Sequence, residues 1–142
     1  MNFDFFGSAA ALAFAACGSA AGSGIAGMAA IGSWKKCFIQ NKPAPFLLIV
    51  FVGAPLSQTI YGMILMNAVL AASGTDPVIK LSAGVFGGIA IGMSALFQGK
   101  AGASGCDALA ETGKGFGNFI MVIGVIETVA LFVMVLLLSI LG

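Results

Sequence analysis

The sequence predicts an all-α membrane protein in which four transmembrane helices form two duplicated antiparallel hairpins. Three observations carry that reading. Only 8% of the 142 residues are charged and 60% are hydrophobic, whereas a soluble domain carries about 25% charged residues. The mean hydropathy is +1.11. Four apolar stretches lie near 3–32, 45–72, 79–106 and 115–141, and each exceeds the roughly 20 helical residues needed to cross a bilayer core.

Composition also excludes several classes. Without Arg or His the chain lacks the commonest soluble general base and any basic surface for nucleic acid. At net charge +1 no polyanionic partner is implied. Cys17, Cys37 and Cys106 have no metal-ligand spacing, so neither a disulfide nor a thiolate metal site is expected; Cys17 and Cys106 read as small packing residues. Phe14-Ala-Ala-Cys17 faintly resembles a lipoprotein cleavage box. The segment before it holds Asp4 and no basic residue, which argues against a processed signal peptide. Gly22-Ser-Gly-Ile-Ala-Gly27 matches the dinucleotide-binding fingerprint by letter, but lies in an Ala/Gly helix with no preceding strand.

Short polar breaks at 33–44, 73–78 and 107–114 separate the stretches and force neighbouring helices to run antiparallel. Residues 1–72 make a first hairpin with no ion-binding carboxylate, and 73–142 a second that carries Glu127. Lys35, Lys36 and Lys42 lie in the first break and Lys100 and Lys114 flank the third, while the second has only Lys80, close to Asp76. The positive-inside rule then places 33–44 and 107–114 in the cytoplasm and both termini outside. Gly18-Ser-Ala-Ala-Gly-Ser-Gly24 and Gly99-Lys-Ala-Gly-Ala-Ser-Gly105 share four residues at an offset of 81, as an internal duplication would leave. The first and third stretches are rich in small residues, with Gly84, Gly87, Gly88 and Gly92 on the third. Small faces let backbones approach closely where lipid gives no hydrophobic drive. Packing inside one bundle needs only a few of them; whole small faces on two helices fit better a ring of protomers, with the second and fourth helices toward lipid.

Glu127 stands alone inside the apolar run from Phe119 to Leu141. An acid at that depth costs about 2.5–3.5 kcal/mol on insertion scales and is kept by default for function. Other polar groups share its depth. Pro55-Leu-Ser57-Gln58-Thr-Ile-Tyr61 interrupts the second stretch, and Gln98 stands in the third. Pro55 has no N–H, which frees carbonyl oxygens around Phe51 to Ala54. Ser57 and Tyr61, four residues apart, share a helix face. A lone Gln or Ser in a membrane helix serves as readily to glue helices together. Taken with Glu127, however, these groups form a set of hard oxygen donors suited to a small hard cation. One carboxylate and one monovalent cation make a neutral site that lipid tolerates.

Pro55-x-Ser57-Gln58-x-x-Tyr61-Gly62, Gln98-Gly-Lys100 and Glu127-Thr128, in that order, resemble the membrane rotor proteolipid (the K or c type) of V-type and A/V-type rotary ATPases, over all four helices. The resemblance implies a cation held by the Ala54 backbone carbonyl, Ser57, Gln58, Gln98 and Glu127, with Tyr61 and Thr128 supporting the carboxylate. Ser57 stands where threonine is usual and keeps the hydroxyl; Leu56 stands where glycine is usual, so packing beside the site must differ. Both glutamines favour Na+ over H+, and no covalent cofactor is implied.

The resemblance further implies a homo-oligomeric ring turning in lipid against a static membrane partner, whose positive group competes for Glu127, with a central stalk on the cytoplasmic loops. ATP hydrolysis occurs elsewhere in that complex. Leu56 occupies the position that matches Glu127 in the duplication, so one carboxylate serves four helices. Fewer ions per turn favour a pump over a synthase. The chain's length points to a bacterial plasma membrane. A small four-helix cation-coupled multidrug exporter is the alternative, but its membrane glutamate belongs in the first helix, and here it is in the fourth.

Overall fold

The computed structural model describes residues 3–142. Its elements are α1 (Phe3–Ile39), α2 (Leu48–Gly53), a single 3-10 turn (Ala54–Leu56), α3 (Ser57–Ala71), α4 (Pro77–Thr112) and α5 (Phe116–Leu141). α2, the turn and α3 form one span, so the described residues contain four helices long and apolar enough to cross a membrane. The all-helical, four-span architecture is therefore the one the sequence predicts.

Two helices run further than their apolar stretches. α1 continues through Lys35 and Lys36 to Ile39, and α4 through Asp107 and Glu111 to Thr112. Charged side chains end the apolar pattern without ending the helix, because Lys and Glu are good helix formers. At about 1.5 Å per residue, α1 (37 residues) and α4 (36 residues) each exceed 50 Å, longer than the bilayer is thick. The projecting turns are tied together by an ion pair between Lys36 Nζ and Glu111 Oε1 at 2.5 Å. The breaks at 33–44 and 107–114 are thus mostly helix, with non-helical linkers at 40–47 and 113–115.

Local chemistry accounts for the helix ends. Asp76 caps α4, its carboxylate accepting from the Val78 N–H at 2.7 Å with Pro77 in the first turn. Gly113 ends α4 at φ +65°, a left-handed position that favours glycine. The 40–47 linker is pinned by Trp34, whose Nε1 donates to the Pro45 carbonyl at 2.7 Å.

The small residues meet inside the chain. Gly7 packs on Gly84, Gly18 on Gly92, and Gly22 on Gly99, with backbone so near that a Cβ at any of these positions would collide. Gly88 abuts Ala10 and Ala11, and Gly87 faces Leu65 and Leu137. This corrects the expectation that the glycine face of the third span is turned to neighbouring protomers. A small face is equally suited to either partner, and α1 and α4 use each other. The bulky second and fourth spans expose Leu56, Ile60, Met63, Val125, Val129 and Phe132. At one end the Phe51 ring packs tilted against Phe116 (ring centroids 5.5 Å apart) and edge-on to Phe119 (6.3 Å), holding the second span to α5.

Candidate ion-binding site

Pro55 determines the shape of the site. It cannot supply the N–H that a regular helix needs at its position, and the backbone tightens there into the 3-10 turn before resuming as α3. The Ser57 N–H bonds to the Ala54 carbonyl across the turn. The Ser57 hydroxyl lies 3.1 Å from that same carbonyl and 3.1 Å from Gln58 Oε1. A serine has one hydroxyl proton to give, so three oxygens converge here with one proton among them.

The network then crosses to α4 and α5. Gln58 and Gln98 are both fully buried, and Gln58 Nε2 donates to Gln98 Oε1 at 2.9 Å. Gln98 Nε2 donates to Glu127 Oε2 at 3.3 Å and to the Ile123 carbonyl at 3.2 Å. The Tyr61 phenol donates to Glu127 Oε1 at 2.6 Å. Each carboxylate oxygen thus has a donor, and each buried amide is satisfied through its neighbours. Glu127 itself is half-buried and Val125, Thr128 and Val129 around it are exposed, so the carboxylate lies just beneath the outer surface of the four-span unit.

Of the residues singled out in the sequence, the Ala54 carbonyl, Ser57, Gln58, Tyr61, Gln98 and Glu127 come together in one polar cluster. Thr128 does not join it. Its hydroxyl donates back to the Val125 carbonyl at 2.7 Å on its own helix, with the side chain exposed, a local bond open to any serine or threonine in a helix. Leu56 is 54% exposed, on the outer surface of the second span. Ser94 is a contributor that the sequence did not single out: its hydroxyl donates to the Ile126 carbonyl at 2.9 Å, fixing α5 one residue before Glu127. Its signal was its spacing, one turn before Gln98 on the same face.

Fold and site together define a four-span membrane proteolipid built around one carboxylate. Residues 81–140, which include Gln98 and Glu127, match the family model for the C-type subunit of ATP synthase. The chain is also 32% identical over 128 residues to the A-type ATP synthase subunit K of Methanocaldococcus jannaschii, a match covering 89% of this chain and 56% of that protein. Both matches support a rotary-ATPase c/K proteolipid as what this chain is similar to. It spans just over half the length of that archaeal relative.

Proposed function

We propose that this chain is an ion-carrying rotor protein, assembled as a ring that moves Na+ across the membrane when it turns within a rotary ATPase. The observation that carries the reading is the row of oxygen-bearing groups from the Ala54 carbonyl past Ser57, Gln58 and Gln98 to Glu127, each within hydrogen-bonding distance of the next, with the Tyr61 phenol on the carboxylate. A carboxylate that only shuttles protons needs one good partner. Five oxygen-bearing groups gathered from three spans match the donor set of a hard cation.

The geometry gives each group a part. Glu127 supplies the charge that neutralises the cation, and Tyr61 fixes one of its oxygens. Gln98 here turns its Nε2 to Glu127 and its Oε1 to Gln58. Coordination beside the carboxylate needs an amide oxygen, so cation entry exchanges amide hydrogen bonds for ion–oxygen contacts, and release restores them. Loaded, the site is neutral and passes lipid; unloaded, Glu127 is drawn to a positive group on a static membrane partner. In this reading 33–44 and 107–114 face the cytoplasm of a bacterial cell and meet the central stalk, both termini lie outside, and the complex works as a pump. In this reading ATP is hydrolysed elsewhere in the complex.

The test is ATP-driven uptake of radioactive sodium into vesicles containing the whole complex, with wild-type and Glu127→Gln chains. Uptake that Glu127→Gln abolishes supports the proposal. Sodium-independent acidification of the vesicle lumen, with no sodium uptake, assigns the site to protons.

A further inference from the structure

The α1/α4 pair presents two dissimilar outer faces, about half a turn from the face by which each helix grips the other. On α4 the outer face is a ridge of large side chains: Phe86 is 70% exposed, Met93 44% and Phe97 49%. Lys100 Nζ lies 5.0 Å from the centroid of the Phe97 ring, bracing it on the ridge. On α1 the corresponding face is a furrow of exposed Ala9, Ala13, Ala20 and Gly24. A Cβ added at Gly24 would meet nothing within 4 Å.

Ridge and furrow share a register. α1 and α4 run in the same direction, and Gly7 opposes Gly84, Gly18 opposes Gly92 and Gly22 opposes Gly99, spacings of 77, 74 and 77 residues. These spacings set Ala9 within a helical turn of the level of Phe86, and Ala20 within a turn of the level of Phe97. Copies related by rotation about the membrane normal keep every residue at its own depth, so groups level with each other on opposite faces are the ones that meet.

We infer that Phe86 and Phe97 of one copy insert into the furrow of the next copy, against its Ala9 and Ala20 respectively. The inference rests on the ring reading above and assigns that ring its interface between protomers. The two faces differ, so the contact is head-to-tail: it leaves a free ridge at one end of any open arc and closes as a ring. Small residues in the furrow let the helices approach until the phenyl groups fill it, which is the packing that drives association in lipid.

The test uses the full chain in membranes, with exposed Cys17 replaced by serine; Cys37 and Cys106 are buried. Oxidation of Ala20→Cys/Phe97→Cys should give a ladder of covalent multimers that reductant collapses to the 14.2 kDa protomer. Ala9→Cys/Phe86→Cys should do the same, which guards against failed assembly of one pair. Neither single-cysteine chain should cross-link. A detergent-resistant ring in which neither pair forms a ladder overturns this contact and leaves the ring reading standing. Dimers from Phe97→Cys alone overturn it in favour of a two-fold contact. Failure of the unmodified chain to form any oligomer overturns the ring reading and this inference together.

Discussion

The Tyr61 phenol donates to Glu127 Oε1 at 2.6 Å, joining α3 to α5 across the one carboxylate of the fourth span. A hydrogen bond to a charged group contributes about 1.5–3 kcal/mol. Tyr61→Phe removes it while keeping the ring that fills the space. Sodium binding should weaken by about ten- to a hundredfold, read as the sodium concentration that half-protects Glu127 from chemical modification.

Gln98→Leu should separate the two ions. It deletes the donor to Glu127 and strands the buried Gln58 amide, at a cost of about 1–3 kcal/mol. Sodium protection should vanish while pH-dependent modification of Glu127 persists. The temperature at which the ring dissociates in detergent should fall, and Gln58→Leu/Gln98→Leu should recover part of that fall.

In the proposed reading protons and sodium compete for the same carboxylate, so the half-protecting sodium concentration should rise as the pH is lowered. A pH-independent value throughout would show that sodium acts elsewhere.

Ser19 offers a control in the opposite direction. Its hydroxyl is buried with no hydrogen-bond partner among the described residues. Removing an unsatisfied polar group is neutral or stabilising, so Ser19→Ala should leave the detergent dissociation temperature unchanged or higher. Gly99→Val should abolish assembly, because a Cβ there strikes the Gly22 backbone. Gly117→Ala, in open space, should not.

The sequence made most of the site legible because its members are polar where everything around them is apolar. Glu127, Gln58, Gln98 and Tyr61 needed no structure to be noticed. What the sequence could not resolve was direction. Thr128 adjoins Glu127 in the chain, but its hydroxyl bonds back to Val125. The glycines of α4 announce a close helix contact without saying with which helix, and the structure turns Gly84, Gly88 and Gly92 to α1. Helix extent was also hidden: Lys36 and Glu111 mark where the apolar pattern stops, yet both remain helical and pair with each other. Ser94 was concealed because serine is unremarkable in a small-residue helix.

The most direct test of the central claim is carbodiimide modification of Glu127 in the detergent-solubilised oligomer, titrated with sodium at fixed pH. The reagent attacks the protonated carboxyl, so an ion held there blocks it. Protection by sodium and not by potassium, lost on Gln98→Leu, is the predicted result. Labelling that follows pH alone and ignores sodium would contradict it, leaving Glu127 a proton carrier and both glutamines a supporting network.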